Sequence, residues 1–141
     1  MPAGPAVAVA VTFVWLGMVL AISFLEAPLK FRAPDVTVRI GLGIGRLVFR
    51  ALNTVEVVLA AALVVVAALG AVPATAVVAG AVAIVVLLAQ LAAVRPRLAR
   101  RSDAVLAGGE APRSRGHLVY VALEVLKVAA LVVTGVALLA G

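Results

Sequence analysis

The chain has 141 residues, of which 66% are hydrophobic and 13% charged, with a formal net charge of +6. A soluble domain of this length cannot hide that much apolar surface, so the bilayer is the expected solvent. There is no cysteine and a single histidine, His117, which excludes disulfides, thiolate metal sites, cysteine nucleophiles and any His-rich metal centre.

The N-terminal stretch "MPAGPAVAVAVTFVWLG" carries no basic residue ahead of its apolar run and no convincing small-residue cleavage site before a polar mature sequence. It reads as a retained membrane helix rather than a signal peptide. No lipidation motif is apparent, since the chain has no cysteine and does not begin Met-Gly. The first span is expected from about Ala6 to Leu29 and the second from about Ile44 to Val72. A third runs from about Thr75 to Val94 and a fourth from about His117 to Ala140. Each is long enough, at about 1.5 Å of rise per residue, to cross roughly 30 Å of hydrocarbon. The many valines do not argue for strands, because backbone groups in lipid must be satisfied within the segment and no period-2 pattern of a barrel is visible. The expected fold is all-α, a single antiparallel up-down four-helix bundle in the membrane.

Between the spans, "GAVPATA" is a tight connection with Pro73 just past the second helix, so spans two and three are expected to form an antiparallel hairpin. The loops fall at about residues 30–43 and 95–116. The first half of the latter, "RPRLARRSD", has the character of an interfacial helix, and the second, "AGGEAPRSRG", that of a loop. Lys30, Arg32, Arg39, Arg46 and Arg50 surround the first connection, and Arg95, Arg97, Arg100, Arg101, Arg113 and Arg115 lie in the third. The termini and central hairpin carry no lysine or arginine. The positive-inside rule then puts both basic loops in the cytoplasm and both termini outside, as in a multi-pass membrane protein. Contact with anionic headgroups accounts for the positive charge, and no aromatic-basic interleaving points to nucleic acid.

Three of the six acidic residues fall inside spans: Glu26, Glu56 and Glu124. Counted from the outer ends of their helices, these three and Gln90 lie at a common depth of about 24 Å. On the fourth helix His117, Tyr120, Glu124 and Lys127 share one arc, and on the first Trp15, Ser23, Glu26 and Lys30 do the same. Arg46, Arg50 and Asn53 line one side of the second, with Glu56 further round. Charged groups in lipid turn into the bundle or toward water. The expectation is therefore a polar pocket in the cytoplasmic half, built from Glu26, Lys30, Arg50, Asn53, Glu56, Gln90, His117, Tyr120, Glu124 and Lys127.

Two readings of that layer compete. In the structural one, Lys30, Arg50 and Lys127 balance the three carboxylates as buried ion pairs, while Lys30, Arg46 and His117 snorkel to the headgroups. In the functional one, the layer takes a proton, a cation or the polar head of a lipophilic small molecule. Glu56 and Glu124 then carry the charge, Lys127 is the counter-ion, and Asn53 and Tyr120 are hydrogen-bond partners. A catalytic role ranks last, because no nucleophile is paired with a base. Lys127 suits the structural reading least: it is the deepest cation and must find a carboxylate or lose its proton. No cofactor is implied. The bilayer is the expected partner, with a homo-oligomer or a larger membrane complex as further partners, and the alternative function is a non-catalytic scaffold subunit.

"GLGIGR" lacks the Lys-Ser/Thr ending and the preceding strand of a phosphate loop, so Gly41 and Gly45 are better read as a small-xxx-small packing pair. Trp15 lies too near mid-membrane for an aromatic belt and is expected in the core or a pocket wall. The segments "FLEAPLKFRAPDVTVRIGLGIGRLVFRALNTVE" and "HLVYVALEVLK" resemble a group of small bacterial four-helix membrane proteins. The likeness covers the first two spans and the last. It implies that Glu26, Lys30, Asn53, Glu56, Glu124 and Lys127 form one constellation, and it implies no activity.

Overall fold

The structure is a computed structural model that describes residues 1–70, 72–108 and 115–141, with side chains from residue 117 onward in the last segment. The Gly-Pro-Ser-rich half of the third connection, with Arg113, lies largely outside the described residues. The fold is all-α, a bundle of four helices: α1 (Ala3–Lys30), α2 (Val38–Ala68), α3 (Ala74–Leu106) and α4 (Arg115–Ala140). Each contains a stretch long and apolar enough to cross a membrane.

The distribution of side chains is the inverse of a soluble bundle. Large aliphatics point outward on every helix, among them Leu47, Val58, Val78, Val85 and Leu139. The buried positions go largely to small residues such as Ala8, Ala60, Ala76, Ala83 and Ala130, and to polar ones. Lipid tails solvate leucine and valine as well as a protein core does, so helices gain by bringing small residues and polar groups to the interface. Trp15, Val19, Leu63, Leu87 and Leu131 form the apolar core that the four helices share.

Several boundaries differ from those expected. α2 starts at Val38, six residues before Ile44, because the Thr37 hydroxyl caps it by accepting the Ile40 amide at 3.2 Å. The glycine-rich run is therefore the first turns of a helix. Its glycines seat side chains from the end of α1: the Phe31 ring lies against Gly41, and a Cβ at Gly45 would come within 2.9 Å of Lys30 Nζ. α3 does not stop at Val94 but runs on to Leu106, and this extension packs against the start of α2, where Arg46 and Asp103 pair.

The order of packing also departs from the hairpin expectation. Although Gly70 and Pro73 make a short connection between α2 and α3, these two helices touch little along their spans. α3 packs chiefly on α4, and α1 packs on both α4 and α2. An apolar cleft of about 360 Å³ remains between α2 and α3 on the side of their connection, lined by residues such as Leu63, Ala67, Ala76 and Gly80.

Candidate functional site: a buried Glu–Lys–Glu cluster

Two helices carry a local widening that decides which side chains meet. In α1 the segment Leu20–Glu26, and in α3 the segment Gln90–Val94, are π-helical. The Ala27 amide donates to the Ile22 carbonyl and the Arg95 amide to the Gln90 carbonyl, each five residues back. The cause is the same in both. Pro28 and Pro96 follow directly, and a proline has no N–H for the carbonyl four residues back and clashes with it. A wider turn relieves the clash while keeping the helix intact in a solvent that cannot hydrogen-bond its backbone.

At this level the side chains close on Lys127. Its ammonium lies 2.6 Å from Glu56 Oε1, 2.6 Å from Glu124 Oε1 and 2.9 Å from Gln90 Oε1. Three acceptors use all three donors of the ammonium. The Trp15 indole N–H donates to Glu56 Oε1 at 3.0 Å. Gln90 Nε2 donates to Glu124 Oε1 at 3.1 Å and, at 3.5 Å, to the Tyr120 carbonyl. The Ser23 hydroxyl donates to Glu124 Oε2 at 2.6 Å. The Lys127 and Glu56 side chains are 0% exposed and that of Glu124 is 1% exposed, so the whole cluster is out of reach of solvent. Glu56 Oε2 is buried and has no hydrogen-bond partner among the described residues.

Of the ten residues expected to form the pocket, four meet here: Glu56, Gln90, Glu124 and Lys127. Tyr120 lies directly below. It offers its carbonyl to Gln90, its ring meets Phe49 edge-on at 5.9 Å, and its buried hydroxyl has no partner among the described residues. Glu26 and Lys30 do not enter the cluster. They pair with each other at 3.6 Å, and Lys30 Nζ sits 5.5 Å and 5.7 Å from the ring centres of Phe31 and Phe49. Arg50 is exposed, so it does not balance a carboxylate in the layer. Asn53 is half-buried and makes no side-chain hydrogen bond to the cluster, and His117 is exposed at the start of α4.

The expectation that each helix contributes an acid or amide to one layer is thus corrected for α1, which contributes Trp15 and Ser23 in place of Glu26. The reason lies in the π segment. An i→i+5 turn advances by less than 100° per residue, so an α-helical count of facing fails from Leu20 onward. Pro28 and Pro96 were the readable signal. The arrangement of Arg95, whose guanidinium lies 4.7 Å from the Phe49 ring centre and 5.3 Å from that of Tyr120, had no comparable signal, because it depends on α3 continuing past Val94.

Chemically, two carboxylates on one ammonium leave an excess negative charge when all three are ionised. The position a bound cation would take between the carboxylates belongs to Lys127 Nζ. Among the described residues no group of three His, Cys, Asp or Glu side chains is placed to hold a metal ion. Comparison with known proteins adds no family: no protein-family description, no curated protein and no solved structure matches the chain.

Proposed function

We propose that this chain is a proton-binding module of the bacterial cytoplasmic membrane, spanning it four times with both termini outside. In this reading the Glu56–Lys127–Glu124 cluster takes up and gives up a proton. The observation that carries the reading is the contact of one fully buried ammonium with two buried carboxylates, at 2.6 Å each. A net charge held in a medium of low dielectric is costly, and a single proton makes the cluster neutral. The unpartnered Glu56 Oε2 offers such a proton a place without displacing an existing hydrogen bond. A proton also needs no cavity, and neither of the two apolar clefts between the helices is lined by a cluster residue. The bacterial setting rests on the resemblance in the first two spans and the last. The orientation rests on the basic residues of the first and third connections, and single cysteines introduced into a chain that has none would report it by their labelling from either side.

A second reading, the scaffold subunit, is favoured by one observation: every donor of Lys127 is already matched by an acceptor. Proton uptake by the purified protein, measured in weakly buffered solution after a pH step, separates the two. Expected is uptake by the wild type that disappears in Glu124→Gln while the helices stay folded. No uptake by a folded wild type, together with recovery of Lys127→Met stability by a second Glu124→Gln change, establishes the scaffold reading instead.

A further inference from the structure

The cluster is sealed, so a proton must enter it by way of a side chain that also reaches the outside. The residues packed on it sort clearly by this criterion. α2 presents Glu56, which is fully buried, and α4 presents Lys127 and Glu124, also buried, with Tyr120 beneath them. α3 presents Gln90, buried, and one turn further on Arg95, half-buried over the Phe49 and Tyr120 rings. α1 presents Trp15, buried, and Ser23, which is half-buried. Among the side chains that hydrogen-bond the two carboxylates, Ser23 alone reaches the surface of the bundle. Its bond to Glu124 Oε2 is short, at 2.6 Å, and that oxygen is the one Lys127 and Gln90 leave free.

Further along α1, toward its Lys30 end, stands Glu26. Its side chain is 34% exposed, and its buried Oε2 atom faces the Lys30 ammonium at 3.6 Å without a hydrogen-bond partner among the described residues. Half-buried Glu26 and half-buried Ser23 thus lead toward buried Glu124. The π segment is what makes the series possible: it spans both Ser23 and Glu26 and turns the serine toward α4.

We propose that Ser23 is the portal through which protons reach Glu124, with Glu26 collecting them at the surface. The inference rests on the proton-binding reading of the cluster. In the step itself, the Ser23 hydroxyl gives its proton to Glu124 Oε2 and receives another from a hydronium ion or from the Glu26 carboxylic acid. The hydroxyl is restored and one proton has moved inward. Lys127, bonded to both carboxylates, couples the arrival to Glu56 and thereby to Trp15.

The chain has one tryptophan, and its indole is bonded to Glu56, so Trp15 emission reports the charge state of the cluster. The test is a stopped-flow pH jump on the full chain in lipid vesicles, following Trp15 emission, with the infrared carboxylic-acid band as an independent readout. Ser23→Thr and Ser23→Val are nearly isosteric and differ in the hydroxyl. Expected is a rate near wild type for Ser23→Thr and a slowing of about a hundredfold for Ser23→Val, the size of effect a positioned proton donor has. Rates are compared at matched final amplitude, and Glu26→Gln slows the rate less. Equal rates for Ser23→Thr and Ser23→Val overturn the portal while leaving the proton-binding reading intact. Wild-type emission and carboxylic-acid band that both ignore pH overturn the proton-binding reading and the portal with it.

Discussion

The two halves of this bundle are held together by different physics. Toward the Lys30 end, side chains of α2, α3 and α4 converge on one ammonium, α1 joins through Trp15 and Ser23, and the extension of α3 returns to meet α2. Toward the α2–α3 connection, contacts are made by alanine, glycine and aliphatic groups, and α2 and α3 stand apart around an open cleft. Burial of leucine against leucine earns little in lipid, so apolar helices in a membrane have weak reasons to choose one neighbour over another. The polar cluster supplies such a reason. It has directional bonds, and two buried carboxylates without a counter-ion if Lys127 is missing.

That contrast can be broken from the polar side first. Lys127→Met leaves two carboxylates facing each other in a buried site, and a loss of about 3–5 kcal/mol is expected by analogy with other broken buried pairs. Reversible unfolding in mixed micelles measures it, and adding Glu124→Gln to Lys127→Met should recover only part of the loss, because Glu56 still lacks its counter-ion. A loss below about 1 kcal/mol would mean that the cluster does not organise the half toward Lys30.

Trp15→Phe keeps the ring in the core but removes the donor to Glu56, and should cost about 1.5–3 kcal/mol, the worth of a hydrogen bond to a charged group. The same unfolding measurement in a Glu56→Gln background checks the assignment, since the cost there should fall to that of a neutral bond.

The π segment of α3 is tested by coupling. Gln90→Ala should cost about 1 kcal/mol in the wild-type chain and nearly nothing once Pro96→Ala has let the helix return to α-helical phase. Additive effects of the two substitutions would show that Pro96 does not aim Gln90.

At the small end stands the half nearer the α2–α3 connection. A Cβ on Gly80 would meet only the Thr134 methyl group, at 3.8 Å, which is ordinary contact. Gly80→Ala is therefore expected to be neutral or to stabilise by up to about 1 kcal/mol through helix propensity. At Gly135 the same Cβ would come within 2.6 Å of the Phe13 ring, so Gly135→Ala provides a destabilising counterpart in the same half.

The sequence was informative where hydropathy or residue type settles the matter. Four apolar spans, and an all-helical bundle to accommodate them, follow from run lengths and from the impossibility of open strands in lipid. The depth of Glu56, Gln90 and Glu124 could be read by counting rise along each helix, because rise is nearly constant whatever the helix packs against. Facing was less legible. Arg50 and His117 are expected at the pocket, yet both are exposed; His117 lies at the start of α4, where a polar side chain can turn outward.

What the sequence by itself determined, then, is the solvent this protein requires, its helical class and the level at which its intramembrane polar residues sit. Only the tertiary structure decided that Ser23 and Trp15, and not Glu26, complete the cluster from α1, and that α2 neighbours α1 more closely than α3. The physical reason is common to both. Proline-induced π turns change the angle at which every later side chain leaves the helix, and the choice of neighbour depends on which polar groups can reach one another across helices, a property of four segments together that no single segment's spacing contains.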